Sequence, residues 1–288
     1  MLTWKIGAVT VTRIVEIELP VPYSEVRPFL AEARPEVLKT IPWLYPNYVH
    51  EDGSLRLSIH ALLVEAPGLR LVVDTCIGND RPRSLLGGQA LATDFLDQLA
   101  AAGWSRESVD HVVCTHLHVD HVGWNTLQVD GKWVPTFPKA RYLIGAKEYA
   151  HWSAREDAEQ QVILSDSVQP IFDAGLAELV EMDHRLSPEV HLIPTPGHTP
   201  GHVSVMIESE GQIAMITGDA VHHPCQLAHP DWSPPFDSDG KASAAMRRQL
   251  FEDAADKPIL VIGTHFAAPT AGHVVRDGKA YRFDGFAG

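Results

Sequence analysis

Residues 114–126 read CTHLHVDHVGWNT. His116, His118, Asp120 and His121 fall within six residues there, directly after the apolar run HVVCT at 111–115. Each of the four can bind a metal or carry a proton. Small turns break the segment too often for a regular helix, so the polar groups crowd a single loop.

Three later apolar runs end in the same manner. VHLIPT (190–195) leads into PGH, ending at His198; QIAMIT (212–217) leads into Gly218 and Asp219; ILVIGT (259–264) leads into His265. Continuous apolar runs of this length read as buried strands. In α/β sheets the residues that bind ligands sit in loops beyond strand ends. Four such loops would bring five histidines and two aspartates to one sheet edge. The crowded loop is then one wall of a polar site that three other loops complete.

As a ligand set, His116, His118 and His198 offer three nitrogens and leave a position open, as a catalytic zinc ion requires. Asp120, His121 and His265 offer a second set of three. Asp219, with two carboxylate oxygens, is the natural bridge between two ions. A pair of ions activates water and polarises an electrophile together. Mixed nitrogen and oxygen ligation without thiolate suits Zn²⁺, with Mn²⁺, Fe²⁺ and Co²⁺ as the other candidates. The expected cofactor is therefore two divalent metal ions.

The rest of the chain narrows the class. It has 288 residues, 45% hydrophobic and 21% charged, which is ordinary globular composition. A net charge of −14 disfavours nucleic acid and anionic membranes as partners. The three cysteines, Cys76, Cys114 and Cys225, are widely spaced and form no CxxC; neither a disulfide framework nor a cysteine-rich zinc site fits. No apolar stretch reaches the ~18 residues of a membrane span, and the N-terminus lacks a signal-peptide core. The expectation is a cytoplasmic protein.

Strands are expected over 4–17, 56–65 and 69–74, and helices over 90–102 (capped by Gly103), 145–157 and 240–255, the last with Met246 and Leu250 on one face. Between the first two strands runs a Pro- and aromatic-rich loop, 38–53. No repeat or linker marks a boundary, so one domain over 1–288 is expected.

THLHVDH followed by PGH, GD and GTH, in that order, resembles the metallo-β-lactamase superfamily of metal-dependent hydrolases. The resemblance implies a four-layer αββα sandwich, two β-sheets with helices outside and the metals at one edge. It also sorts the branches. Zinc β-lactamases that use cysteine carry it near the place of Asp219, and flavodiiron proteins put an acid where His118 stands. Glyoxalase II adds a helical C-terminal domain, for which the chain leaves no room after His265. What remains resembles the quorum-quenching lactonases and the methyl-parathion hydrolase-like enzymes, on HVDHVGWN, GDAVHH and the tail from His265. Homoserine lactonases carry a tyrosine three residues after the bridging aspartate; here that position is His222, which leans toward the parathion hydrolase-like group.

The reading is thus a dinuclear hydrolase opening a small apolar lactone or ester, with a phosphotriesterase or arylesterase as the alternative and a metal sensor as the rival of another class. Asp120 would handle the proton. His222 would donate to the oxyanion or stand behind the ligands, with His223 the weaker case for the same part. Asp74 would orient a ligand histidine or cap a turn. His60 and His273 read as structural, and Cys225 as a free side chain. Trp43, Tyr45, Trp124 and Phe266 are the substrate-binding candidates. The run PWLYP, 42–46, would wall the pocket or form a homodimer contact.

Overall fold

The computed structural model describes residues 1–286. Its strands are β1 (Thr3–Ile6), β2 (Val9–Val21), β3 (Leu55–Ala66), β4 (Leu69–Val73), β5 (His111–Cys114), β6 (Thr126–Val129), β7 (Lys132–Pro135), β8 (Arg141–Gly145), β9 (Ala177–Val180), β10 (Val190–Pro194), β11 (Val203–Ser209), β12 (Gln212–Ile216), β13 (Ile259–Ile262), β14 (Ala271–Asp277) and β15 (Ala280–Phe286). One sheet has the order β1-β2-β3-β4-β5-β8-β9; the other runs β10 to β15 in sequence, and β6 and β7 form a separate hairpin. Strands β4, β5, β8 and β9 pair in parallel, as do β12 and β13.

Alternation along these strands makes the layers. Leu71, Val73, Val113 and Leu143 meet Leu192, Val205, Ala214, Ile216 and Ile262 in the core between the two sheets. The opposite faces, Val72, Val112, Tyr142 and Ile144, pack under Phe95, Leu99, Trp152, Ile163 and Ile171 of the outer helices. On the other side, Met215, Val261 and Val274 pack against Leu250 and Phe251 of helix Gly240–Ala254 and against residues 30–55. This is the four-layer αββα arrangement. Strands buried on both faces explain the unbroken apolar runs in the sequence.

The structure corrects several element boundaries. The strand expected over 4–17 is a hairpin: the chain reverses at Gly7–Ala8, and β1 pairs antiparallel with β2. The helix expected over 90–102 covers only Phe95–Ala101, because residues 79–93 are held outside it by pairing Asn79 with Leu91 and Thr93. The helix expected over 145–157 ends at Ser153, and a further helical stretch follows over 158–173, interrupted by a π turn at Leu164–Val168.

The 38–53 loop belongs to a core. Leu38, Leu44, Tyr48 and Val49 are buried, and the Tyr48 hydroxyl donates to Pro269 O at 2.7 Å. Phe266, wholly buried, packs on Tyr48 and Phe283. It is therefore a core residue, not a pocket wall. Tyr48→Phe should lower stability by about 1 kcal/mol, the net value of one hydrogen bond, read from a shifted denaturant midpoint at unchanged m. A loss below the error of the measurement would mean that this bond does not pin the loop.

Candidate metal centre

The first wall of the site is the loop after β5. Its exit is set by a second loop, 74–78, after β4. Gly123 N–H and Trp124 N–H donate to Cys76 O and Thr75 O, both at 2.7 Å. A Cβ at Gly123 would lie 1.8 Å from Ile77 O, so only glycine permits this approach. Beneath, the buried Glu16 carboxylate accepts from Ile77 N–H, Gly78 N–H and the Trp124 indole at 2.7–3.0 Å. Trp124 is buried and stacks on Phe95 at 5.0 Å. It anchors the loop from below and is withdrawn from the substrate-binding set.

Glu148, in helix Ala146–Ser153, ties that loop to the next. Its carboxylate accepts from Leu117 N–H, the Trp152 indole, the Thr199 hydroxyl and Gly201 N–H at 2.6–3.1 Å. The loop after β12 is fixed through Gly218, which takes φ +53° and whose Cβ would stand 2.6 Å from His202 Nε2. His202 in turn accepts from Asp219 N–H at 2.8 Å.

These supports bring the seven expected residues together. His198 Nε2 lies 3.2 Å from His116 Nε2, 2.9 Å from His118 Nδ1 and 3.4 Å from Asp219 Oδ2. On the other side, His265 Nε2 lies 3.3 Å from His121 Nε2, 3.5 Å from Asp120 Oδ2 and 3.0 Å from Asp219 Oδ1. Asp219 thus stands between the two groups, with Oδ1 toward His265 and Oδ2 toward both His198 and His121, the latter at 3.3 Å.

The tautomers are fixed from behind. His121 Nδ1 lies 2.9 Å from Asp74 Oδ2, His198 Nδ1 2.8 Å from Asp237 Oδ1, and His265 Nδ1 3.1 Å from Ser58 O. His116 Nδ1 faces the Thr115 hydroxyl, which itself donates to Asp74. Oxygens that only accept, or are already donating, require a proton on each Nδ1. On each ring that is neutral, the Nε2 lone pair then points inward.

Convergent lone pairs repel unless a cation lies between them. Nitrogens bound at 2.0–2.1 Å in a tetrahedron stand about 3.3–3.4 Å apart, and the separations here are close to that. Burial holds the pKa of His116, His118 and His198 well below the ordinary imidazole range, so they are neutral, as ligands must be. For His121 and His265 burial acts in the same direction, but the carboxylates of Asp219 and Asp120 outweigh it and raise both. Burial would raise Asp219, yet His121, His265 and His222 hold it well below the carboxylate range. The residues fit two divalent ions.

A metallo-beta-lactamase superfamily model matches residues 55–265, which span the centre. The chain belongs to the metallo-beta-lactamase superfamily. Among curated relatives, the N-acyl homoserine lactonase of Bacillus cereus is 28% identical over 166 residues, 57% of this chain and 59% of that one. The chain thus spans about three fifths of the length of the curated relatives it first matches. Two solved structures share the fold: a hydrolase of the beta-lactamase superfamily, AbOPH (24% identity, TM-score 0.79), and a dizinc quorum-quenching lactonase, AidC, in complex with a product (22%, TM-score 0.81). Each alignment covers 99% of this chain and 97% of the other.

Around this metallo-beta-lactamase centre the other sequence candidates separate. His222 faces in: its Nε2 is 3.3 Å from Asp219 Oδ2, and neither ring nitrogen has a hydrogen-bond partner among the described residues. His223 faces away, spanning Tyr48 O and Cys225 N–H. Asp74 orients His121, and its left-handed φ of +56° is held by the bonds from Thr115. His273 bonds Ile259 O and is structural. His60 is buried and reaches Ser58 with one nitrogen only. Trp43 and Tyr45 pack, half-buried, on the outer core with Leu44.

The apolar groups at the centre are different ones. Phe29 and Phe236 contact each other at 5.4 Å and approach the His222 ring at 5.9 and 5.3 Å; Trp152 meets His118 at 5.3 Å. Neither phenylalanine carries a sequence signal, since each sits in a loop remote from the motifs. His202 did have one, the repeat PGHTPGH.

Proposed function

We propose that this chain is a dinuclear metal-dependent hydrolase that opens a small, apolar lactone or ester. The observation that carries the reading is Asp219, which stands between two three-residue groups, with Oδ1 toward His265 and Oδ2 shared by His198 and His121. The likeness to lactonases supports the choice of bond. When bound, a pair of divalent ions supplies Lewis-acid activation of water and of the carbonyl.

The chain's own residues provide the rest. Asp120, its side chain 18% exposed, is the carboxylate of the cluster nearest to solvent and takes the proton from the attacking water. As the water oxygen adds to the carbonyl carbon, a His222 N–H donates to the oxygen that gains charge. Cleavage of the ring C–O bond then returns the proton from Asp120 to the alkoxide. Phe29, Phe236 and Trp152 form the apolar side of the site, where the non-reacting part of the substrate packs.

A panel of aryl- and alkyl-substituted lactones, aryl esters and phosphotriesters, assayed on one preparation at matched metal loading, tests this. The lactones should give the highest kcat/KM. Phe236→Ala should raise KM more than it lowers kcat, as loss of uniform binding does. Turnover of phosphotriesters above lactones would replace the lactonase reading by the parathion hydrolase-like one, which His222 in place of tyrosine favours. No turnover of any of them would remove the hydrolase reading.

A further inference from the structure

One buried ion pair near the centre has no part in the chemistry above. Asp237 lies in the loop between the short helix Cys225–Ala228 and helix Gly240–Ala254, and its side chain is 1% exposed. Oδ1 holds His198 Nδ1 at 2.8 Å. Oδ2 has no hydrogen-bond partner among the described residues but lies 3.9 Å from Nη2 of Arg247, whose side chain is fully buried. Arg247 is itself fastened by donating to Trp232 O, at 3.2 Å, and to the Ser243 hydroxyl, at 3.3 Å.

We propose that Asp237 is a positioning residue for the metal centre, with Arg247 as its buried counterion: it fixes which nitrogen of His198 faces His116, His118 and Asp219. The inference rests on the metal reading above. His198 uses opposite edges of its ring for the two tasks, Nδ1 toward Asp237 and Nε2 toward the cluster. A carboxylate behind an imidazole holds the tautomer and strengthens the nitrogen on the far side as a donor to metal. A buried carboxylate without a cation would be costly, and Arg247 supplies that cation. Burial draws the Arg247 guanidinium down to about 10, with Asp237 the first charge acting the other way.

The backbone tightens the same link. Ser238 N–H donates to His198 O at 2.8 Å, and Asp239 N–H to Gly197 O at 3.0 Å. Asp239 then caps the helix through Lys241 N–H and Ala242 N–H. Phe236, next to Asp237, is the aromatic group over His222 and His198. The orientation of a ligand and the position of the apolar wall therefore depend on one short segment.

The test is a chelator-competition titration with Zn²⁺, together with the visible spectrum of the Co²⁺-loaded protein. Asp237→Ala should weaken one of the two ions by about 10- to 100-fold, leave the other within error, and alter the Co²⁺ bands. Asp237→Asn keeps an acceptor but loses the charge, so its loss should be smaller, about 3- to 10-fold. If the alanine variant does not fold, the asparagine variant carries the test. Two unchanged affinities and an unchanged spectrum in a folded variant, even with a lowered Tm, would overturn the positioning role. A wild-type protein that takes up no metal overturns the metal reading, and this inference with it.

Discussion

Asp219→Asn should keep its fold and fail to hold two ions. Asparagine matches the size and can still offer one oxygen, but it removes the negative charge between two cations. It also replaces an oxygen by an amide that donates, aimed at nitrogens whose lone pairs already point inward. The Asp219 carboxylate is buried, with His265 at 3.0 Å from one oxygen and His121, His198 and His222 at 3.3–3.4 Å from the other. Leaving buried charge uncompensated costs about 3–5 kcal/mol. That corresponds to roughly 10²- to 10⁴-fold in metal affinity, and turnover should fall at least as far. Elemental analysis after metal loading and dialysis checks it. The wild type should approach two ions per chain and the variant one or fewer. A variant that retains both ions and near-native turnover would mean that Asp219 is not the bridge.

The candidate ligand set was legible because its physics is local. A ligand at a strand end follows an apolar run, and four such runs, now β5, β10, β12 and β13, each end within a few residues of a site residue. Asp74, which closes an apolar strand, was legible as a support of a ligand histidine, here His121; the other supports were not, since each joins residues far apart in sequence. Glu16 reaches Ile77 and Trp124, Glu148 reaches Leu117 and Gly201, and Asp237 reaches His198, across 39 residues in the last case. Adjacency to a motif also misled. Trp124 follows the histidines and Phe266 follows His265, yet each ring turns to a core face, where it buries more apolar area than a wet site offers. The helical stretch 158–173 was hidden by its π turn and by Pro170, which shift the apolar period out of phase.

His222→Ala should lower kcat by roughly 10²-fold, the scale of losing one donor to a developing oxyanion, while both ions stay bound. The ring lies over the centre: 4.8 Å from the His198 ring, parallel to His265 at 6.2 Å, and edge-on to Phe29 and Phe236. Two ring nitrogens without partners in a buried setting are costly unless something else satisfies them. A substrate oxygen beside Asp219 would do so, and a ring in contact with both phenylalanines and with His198 has little freedom to turn elsewhere. The lost interaction belongs to the charge that grows during attack, so KM should change far less than kcat. His222→Gln, which restores an N–H at similar reach, should recover part of the rate. Loss of an ion in the alanine variant would instead make His222 a ligand, and an unchanged kcat with both ions present would leave it no part in the reaction.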